Sequence, residues 1–596
     1  MLRRDATRVP TSAWALAALA WFAATFFLLG DRGWWNDDWF FTNRDMVTGG
    51  YGSLIKGQLQ PFHPPEGWPL ASRPLCFIVQ PTLITLLWDH PWAMHLIGAL
   101  THAANCLLLY ALARELGAGR RAAWLAGTLL AVDPVHFEAV FWASTYICPI
   151  SFTLLLVCLV TYARWLRGRA GAGAMVFGTL CGCAVPYLYE LGAPVLFLMP
   201  VLSYGLRHAV PARPRITRLV PFFVVAAACL FYAANLILNP SPHGGLGSAG
   251  GLVKPARAIG VFLKQAGIVF ESYTQLRYLG LGAIRTGLAT LAAHWPLTLA
   301  LAAAASLALV GVSRWWGRQE PDVAPGGAFT PPPWILPVFG ALAAFSTLGP
   351  GSLVGSGLRP RMLYGVGVML SLVIAWGAGL LMRSRRARTP LAAAALVLGL
   401  VWTTAMVGAQ RAYQARERCD RTLEAMLRER IPEPGADAVF VALGVGDWPL
   451  KTGTDDFDTF LVGHFFWDWS HPFWIRHVYK RHDVDAIPVA PGTPLPKPGI
   501  LQADERGMIP ATLVRWDLRI DTPEGRRPIR LGHEKATIAW ERVIPIYTMP
   551  DDVLPVSKLT IERPGGEPLV VTFPRVLRSI EAGACDPFEQ TIRLDR

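Results

Sequence analysis

A chain of 596 residues with 53% hydrophobic and only 16% charged side chains is not an ordinary soluble enzyme, because soluble domains carry roughly a quarter charged residues. Its formal charge of +13 would suit nucleic acid, yet the arginines fall in short bursts between apolar stretches, so the basicity reads as membrane topology and no nucleic-acid partner is expected. Nine cysteines include no CxxC pair or Cys/His ligand spacing, which excludes a zinc site of the usual kind.

The first apolar run, Thr11 to Gly30, follows Met1-Leu2-Arg3-Arg4 and has no small-residue cleavage site before Asp31, so it reads as a retained span. Further spans of the ~20 residues a bilayer requires are expected near 92–116, 122–143, 147–166, 174–189, 191–206, 218–238, 287–312, 333–349, 361–382 and 390–409, eleven in all. Cys106, Cys158, Cys181, Cys183 and Cys229 lie within them as small hydrophobes. With the N-terminus cytoplasmic, Arg120-Arg121, Arg164 to Arg169, Arg207 to Arg218, Arg314 to Arg318 and Arg383 to Arg388 all fall on the cytoplasmic side, and the C-terminus falls outside. Segment 75–91 is apolar but interrupted by Pro81, Asp89, His90 and Pro91, and is expected as a surface or re-entrant helix within a first outer loop, 31–91. A second outer stretch, Asn239 to Arg285, contains His243-Gly244-Gly245 and then Lys254, Arg257 and Lys264. It reads either as a plain linker or as a mobile loop followed by an amphipathic helix on the membrane surface.

The expected fold is therefore an α-helical polytopic membrane protein of the bacterial inner (cytoplasmic) membrane, with a membrane domain over 1–409 and a periplasmic domain over 410–596. The latter begins with a charged helix, Arg411 to Glu429, and continues in short alternating segments at Ala438–Leu443, Ala536–Ile546, Lys558–Glu562 and Leu569–Phe573, a mixed α/β, β-rich pattern. Cys419 and Cys585 would be free to form a disulfide there. Asp455-Asp456-Phe457-Asp458 lacks the rest of a calcium loop and reads as solvated. Phe465, Phe466, Trp467, Trp469 and Trp474 suit either sugar stacking or docking onto the membrane or its spans.

Residues able to do chemistry collect on the outer side. Gly33-Trp34-Trp35-Asn36-Asp37-Asp38-Trp39 places two carboxylates among headgroup-seeking tryptophans, where either could act as general base toward an acceptor hydroxyl or help bind a divalent ion. Asp133-Pro134-Val135-His136-Phe137-Glu138 ends the third span, with Asp133 and His136 on one face of an ideal helix and Glu138 turned away, and Glu190 caps the turn between the fifth and sixth spans. Arg359-Pro360-Arg361, followed by Tyr364, opens the tenth span on the side where the positive-inside rule disfavours arginine, which points to phosphate binding. His95, His102 and Asn105 share a face of the second span and read as interhelical hydrogen-bonding groups.

Taken in order, Asn36-Asp37-Asp38, the 95–117 helix with Asn105-x-Leu107-Leu108-Leu109-Tyr110, Asp133-Pro134-Val135-His136-Phe137-Glu138-Ala139-Val140, Glu190-Leu191-Gly192 and Arg361-Met362-Leu363-Tyr364 resemble the GT-C superfamily of membrane glycosyltransferases over roughly residues 10–410. The branch most similar is that of the protein O-mannosyltransferases with tetratricopeptide repeats. Here Asp133 replaces the first histidine of that branch's His-Pro-x-His-x-Glu-Ala-Val motif, Pro360 stands where a glutamate usually precedes the arginine segment, and no helical repeat follows. The resemblance implies an inverting transfer of a hexosyl or pentosyl unit from a polyprenyl-phosphate donor to a lipid, glycan or protein acceptor. Asp37 or Asp38, with Asp37 favoured, would be the base, and Arg359, Arg361, Tyr364, His136, Glu138 and Glu190 would bind substrate. No cofactor is required by this scheme, and a divalent cation is left open. A lipid or polysaccharide transporter, which should show internal repeats, and an inert scaffold or sensor with a glycan-binding domain are the alternatives.

Overall fold

The computed structural model describes residues 73–87, 90–206 apart from Pro134 and His136, 215–238, 255–275, 280–296, 332–349 with Ser352, 360–381, 384–435, and beyond these one helix and a set of short strands. The described chain falls into two compact units, one ending at Gln410 and one running from Arg411 onward.

Helices of the first unit are α1 (Pro74–Leu86), α2 (Pro91–Glu115), α3 (Arg120–Val132), α4 (Phe137–Phe141), α5 (Ile147–Leu166), α6 (Ala172–Leu188), α7 (Ala193–Leu196), α8 (Met199–Gly205), α9 (Arg215–Leu238), α10 (Pro255–Gln275), α11 (Gly280–Ala293), α12 (Ile335–Ser346) and α13 (Leu363–Leu381), and α14 (Arg385–Arg430) begins in this unit and ends in the second. Among the described residues, four stretches are long and apolar enough to cross a membrane: Pro91–Glu115, Ala143–Leu166, Thr217–Asn235 and Leu363–Leu381. The protein is a multi-pass helical membrane protein. The second of these stretches is 72% buried and the third only 22%, so α5 is the centre of the bundle while α9 turns Phe223, Leu230 and Phe231 outward. Around α5 pack α2 and α6; α3 joins α2 to α13, α12 lies against α13, and α9 covers α6.

Proline decides where the helices depart from the expected spans. The run expected over 122–143 is not one helix. It ends at Val132, with Asp133 extended at φ −65°, ψ 113°, because a residue before proline is driven out of the helical region and Pro134 has no N–H to continue the ladder. The expected 191–206 span is likewise a 3-10 turn, Glu190–Gly192, followed by the short α7 and α8, each with a proline in its first turn. Within 239–285, α10 is a helix that buries one polar face against the bundle and leaves Ile259, Leu263 and Phe270 exposed. Gln265 and Ser272 are buried, and Ser352 donates to Gln265 at 2.9 Å. The stretch expected as a span over 390–409 and the charged helix after it are one continuous helix, α14. The expected first span and loop 31–72 lie outside the described residues.

Close packing of α11 on α14 depends on two glycines. A Cβ on Gly408 would sit 1.8 Å from the Ala283 carbonyl oxygen, and one on Gly287 would sit 2.0 Å from that of Thr404. Neither obstacle is a side chain that can swing away. Gly408→Ala is therefore expected to separate the helices and to destabilise by about 1–3 kcal/mol. A thermal unfolding midpoint in detergent equal to that of wild type would contradict this.

In the second unit, β1 (Val439–Leu443) pairs in parallel with β2 (Asp485–Pro488) and β3 (Val543–Tyr547), and helix α15 (His471–Tyr479) packs against β2. The stretch expected as one segment over 536–546 is two strands, Lys535–Ala539 and Val543–Tyr547. Trp474 is wholly buried and so offers no exposed face for stacking on a sugar. Phe465, Phe466, Trp467 and Trp469, the 455–458 acids, Cys585 and the side chain of Cys419 lie outside the described residues.

Candidate active site

The break after α3 builds the first part of the site. Asp133 is buried. Its Oδ1 accepts the N–H of Val135 at 2.9 Å, turning the chain, and its Oδ2 accepts the hydroxyl of Tyr273 at 2.7 Å, which brings α10 to this turn. Because the helix ends at Val132, Asp133 is not on a helix, contrary to the ideal-helix expectation, and His136, its expected face partner, lies outside the described residues. The turn instead starts α4, on which Glu138 is also buried.

Glu138 meets the start of α13. The 3-10 turn Pro360–Met362 carries Arg361, whose Nη1 donates to Glu138 Oε1 at 2.6 Å and whose backbone N–H donates to Oε2 at 3.1 Å. The guanidinium also stands 5.3 Å from the centre of the Trp142 ring. One carboxylate thus fixes both main chain and side chain of Arg361, while 29% of the arginine side chain stays accessible. Charge-assisted bonds of this kind are short and directional, and in a low-dielectric setting they hold geometry as well as charge.

A second pair lies alongside. Arg73, directly before Pro74 at the start of α1, donates from Nε to Glu190 Oε2 at 2.7 Å and from Nη2 to Oε1, and its guanidinium covers the Tyr189 ring at 4.4 Å. Glu190 lies in the turn between α6 and α7, outside the spans. Burial works against its charge, but the Arg73 guanidinium and its hydrogen bonds prevail and hold the carboxyl below the usual range. Cys148 at the start of α5 approaches the Arg361 carbonyl at 3.5 Å, and Ser151, one turn on, donates to the Tyr189 carbonyl at 3.2 Å, so the two ion pairs belong to one end of the bundle.

The remaining expected residues take different positions. Tyr364 is wholly buried; its hydroxyl receives the Asn105 amide at 2.8 Å and is hydrogen-bonded to His102 Nδ1 at 2.9 Å. His95 bonds the Tyr146 hydroxyl at 2.5 Å, and Thr153 donates to Asn105 Oδ1 at 2.7 Å. These are the interhelical bonds expected of His95, His102 and Asn105. Tyr364 belongs with them, as the group that locks α13 against α2, and lies in the interior instead of at an accessible surface. Asp37, Asp38, His136 and Arg359 lie outside the described residues. Among the described residues no group of three or more His, Cys, Asp or Glu could hold a metal ion.

Arg73 is not among the expected site residues. The signal that points to it is the Arg73-Pro74 dipeptide opening an apolar helix, the same dipeptide as Arg359-Pro360 ahead of α13. If the Arg73–Glu190 pair holds the end of the 31–72 segment to the bundle, Arg73→Glu should cut activity at least tenfold, and Glu190→Arg in the same chain should restore part of it. Equal activity in the single variant, or no rescue in the double, would contradict that role.

No protein-family model matches the chain, and no curated protein matches it. Among solved structures it is similar to the Archaeoglobus fulgidus oligosaccharyltransferase in complex with zinc and sulfate, with a TM-score of 0.38, 15% identity, and coverage of 84% of this chain and 64% of that one. The oligosaccharyltransferase AglB of the same organism, with an inhibitory peptide and a dolichol-phosphate, gives 0.37 and 14%, covering 80% and 64%. ArnT from Cupriavidus metallidurans in the apo state gives 0.31 and 15%, covering 80% of this chain and 85% of that one. The chain spans about 64% of the length of the oligosaccharyltransferase structures it matches.

Proposed function

We propose that the protein is a membrane glycosyltransferase of the GT-C type, moving a sugar from a polyprenyl-phosphate donor to an acceptor at the outer face of a bacterial inner membrane. The observation that carries this reading is Arg361, held by buried Glu138 beside Trp142 at the end of an apolar span. A guanidinium in such a place is costly and is kept where charge must be handled. Its position at a span end, and not at the midplane, suits a phosphate whose lipid tail remains in the bilayer.

In the reaction, a carboxylate of the first loop, Asp37 with Asp38 as the other candidate, accepts the proton of the acceptor hydroxyl. The acceptor oxygen bonds to the anomeric carbon as the bond from that carbon to the phosphate oxygen breaks, which inverts the centre and releases polyprenyl phosphate. Arg361, with Arg359, stabilises the negative charge gathering on the departing phosphate. Glu138 sets the direction of Arg361, and Glu190 and His136 border the donor. A photoreactive polyprenyl phosphate should label the full-length protein, with labelling displaced by unlabelled polyprenyl phosphate and not by polyprenol of the same chain length. Equal displacement by both, or no labelling, would contradict a phosphate site.

A further inference from the structure

The other end of the bundle holds a second charged constellation that the proposed reaction does not use. Glu115, the last residue of α2, is buried, and its carboxylate receives three arginines: Arg164 Nε at 3.3 Å on Oε1, and Arg167 Nη1 at 3.2 Å and Arg169 Nη1 at 3.4 Å on Oε2. Gly168 makes this convergence possible. Its φ of 66° reverses the chain at the end of α5 so that Arg167 and Arg169, on either side of it, reach the same carboxylate. Arg167 is enclosed and also donates to the Glu115 carbonyl at 3.0 Å, whereas the side chains of Arg164 and Arg169 are 38% and 36% exposed.

One carboxylate facing three guanidiniums, with Arg114 directly before Glu115 in sequence, leaves the cluster net positive. The field is felt within it. Burial is the main cause that holds Arg167 below its ordinary pKa; the Glu115 carboxylate opposes it, and the neighbouring charges of Arg169 and Arg114, each weaker than that of Glu115, add to the lowering. An anion arriving at Arg164 and Arg169 would relieve this repulsion. Position says which anion. The cluster lies where α5 ends, about 30 Å along that helix from the candidate active site at its start, so it sits at headgroup level of the opposite leaflet. Directly after Arg169, helix α6 turns Val176, Phe177 and Leu180 outward, each about 60% exposed, an apolar track for acyl chains below a headgroup.

We infer that the Glu115 arginine cluster is a binding site for an anionic phospholipid, with the headgroup phosphate on Arg164 and Arg169 and the acyl chains along α6. Such a lipid stabilises the folded protein by mass action. The experiment uses full-length protein in detergent and reads the unfolding midpoint with added phosphatidylglycerol, phosphatidylcholine of the same chains, or inorganic phosphate. Phosphatidylglycerol should raise the midpoint of wild type by several degrees while the other two leave it in place. The Arg164→Gln/Arg169→Gln variant should lose more than half of that shift, and Arg164→Lys/Arg169→Lys should keep more than half. If the double glutamine variant does not fold, Arg169→Gln alone provides the comparison. An equal shift in wild type and glutamine variant, an equal shift from phosphatidylcholine, or the same shift from inorganic phosphate each overturns the assignment. None of these outcomes depends on the transferase reading.

Discussion

Arg361→Ala is expected to lower kcat/KM for sugar transfer by about 10²–10³-fold, the usual cost of deleting a donor aimed at developing charge. The same substitution leaves Glu138 buried without its guanidinium, and breaking a buried pair costs about 3–5 kcal/mol of stability, so a loss of fold could imitate a loss of chemistry. Arg361→Lys separates the two. It keeps the positive charge beside Glu138 and should recover most of the unfolding midpoint, but an ammonium cannot reproduce the planar fork, and transfer should remain at least tenfold down. Glu138→Gln should weaken transfer less than Arg361→Ala, since the amide still accepts one bond from Arg361. Full transfer by a folded Arg361→Ala protein would remove this residue from the reaction.

The second large effect belongs to the first loop. General-base catalysis contributes about 10²–10⁴-fold, so either Asp37→Asn or Asp38→Asn should lose that much in kcat while the other retains most of its rate. Because asparagine preserves size and removes only the basic oxygen, the unfolding midpoint should stay where it is. An acceptor with a more acidic hydroxyl should partly relieve the loss in the impaired variant, which damage to the fold would not allow. Unchanged rates in both variants would show that neither carboxylate accepts the proton.

How far the sequence could be read follows from what each pattern encodes. Helix α5 matches its expected span, Ile147–Leu166, because apolar residues continue unbroken to an arginine burst. Hydropathy and charge are enough there. They are not enough at Asp133, where the expected span runs on to residue 143 and the helix stops before Pro134. The outer-end cluster was legible as a set of acids and arginines, but not its pairing. Glu138 was expected on the far side of an ideal helix and is brought to Arg361 by the turn at Asp133. Arg73 and Tyr273 come from segments distant in sequence, and only the packing of α1 and α10 reveals that they meet Glu190 and Asp133. Tyr364 shows the converse. A motif placed it near substrate, and its burial against His102 and Asn105 makes it part of the frame.

The most direct test of the central claim is transfer itself, with purified full-length protein, a pool of labelled polyprenyl-phosphate sugars, and membrane extract as the source of acceptors. The account predicts label moving to an acceptor together with stoichiometric release of polyprenyl phosphate, both lost in a folded Arg361 variant. Folded wild-type protein that binds the labelled donors but neither transfers the sugar nor releases polyprenyl phosphate would contradict it.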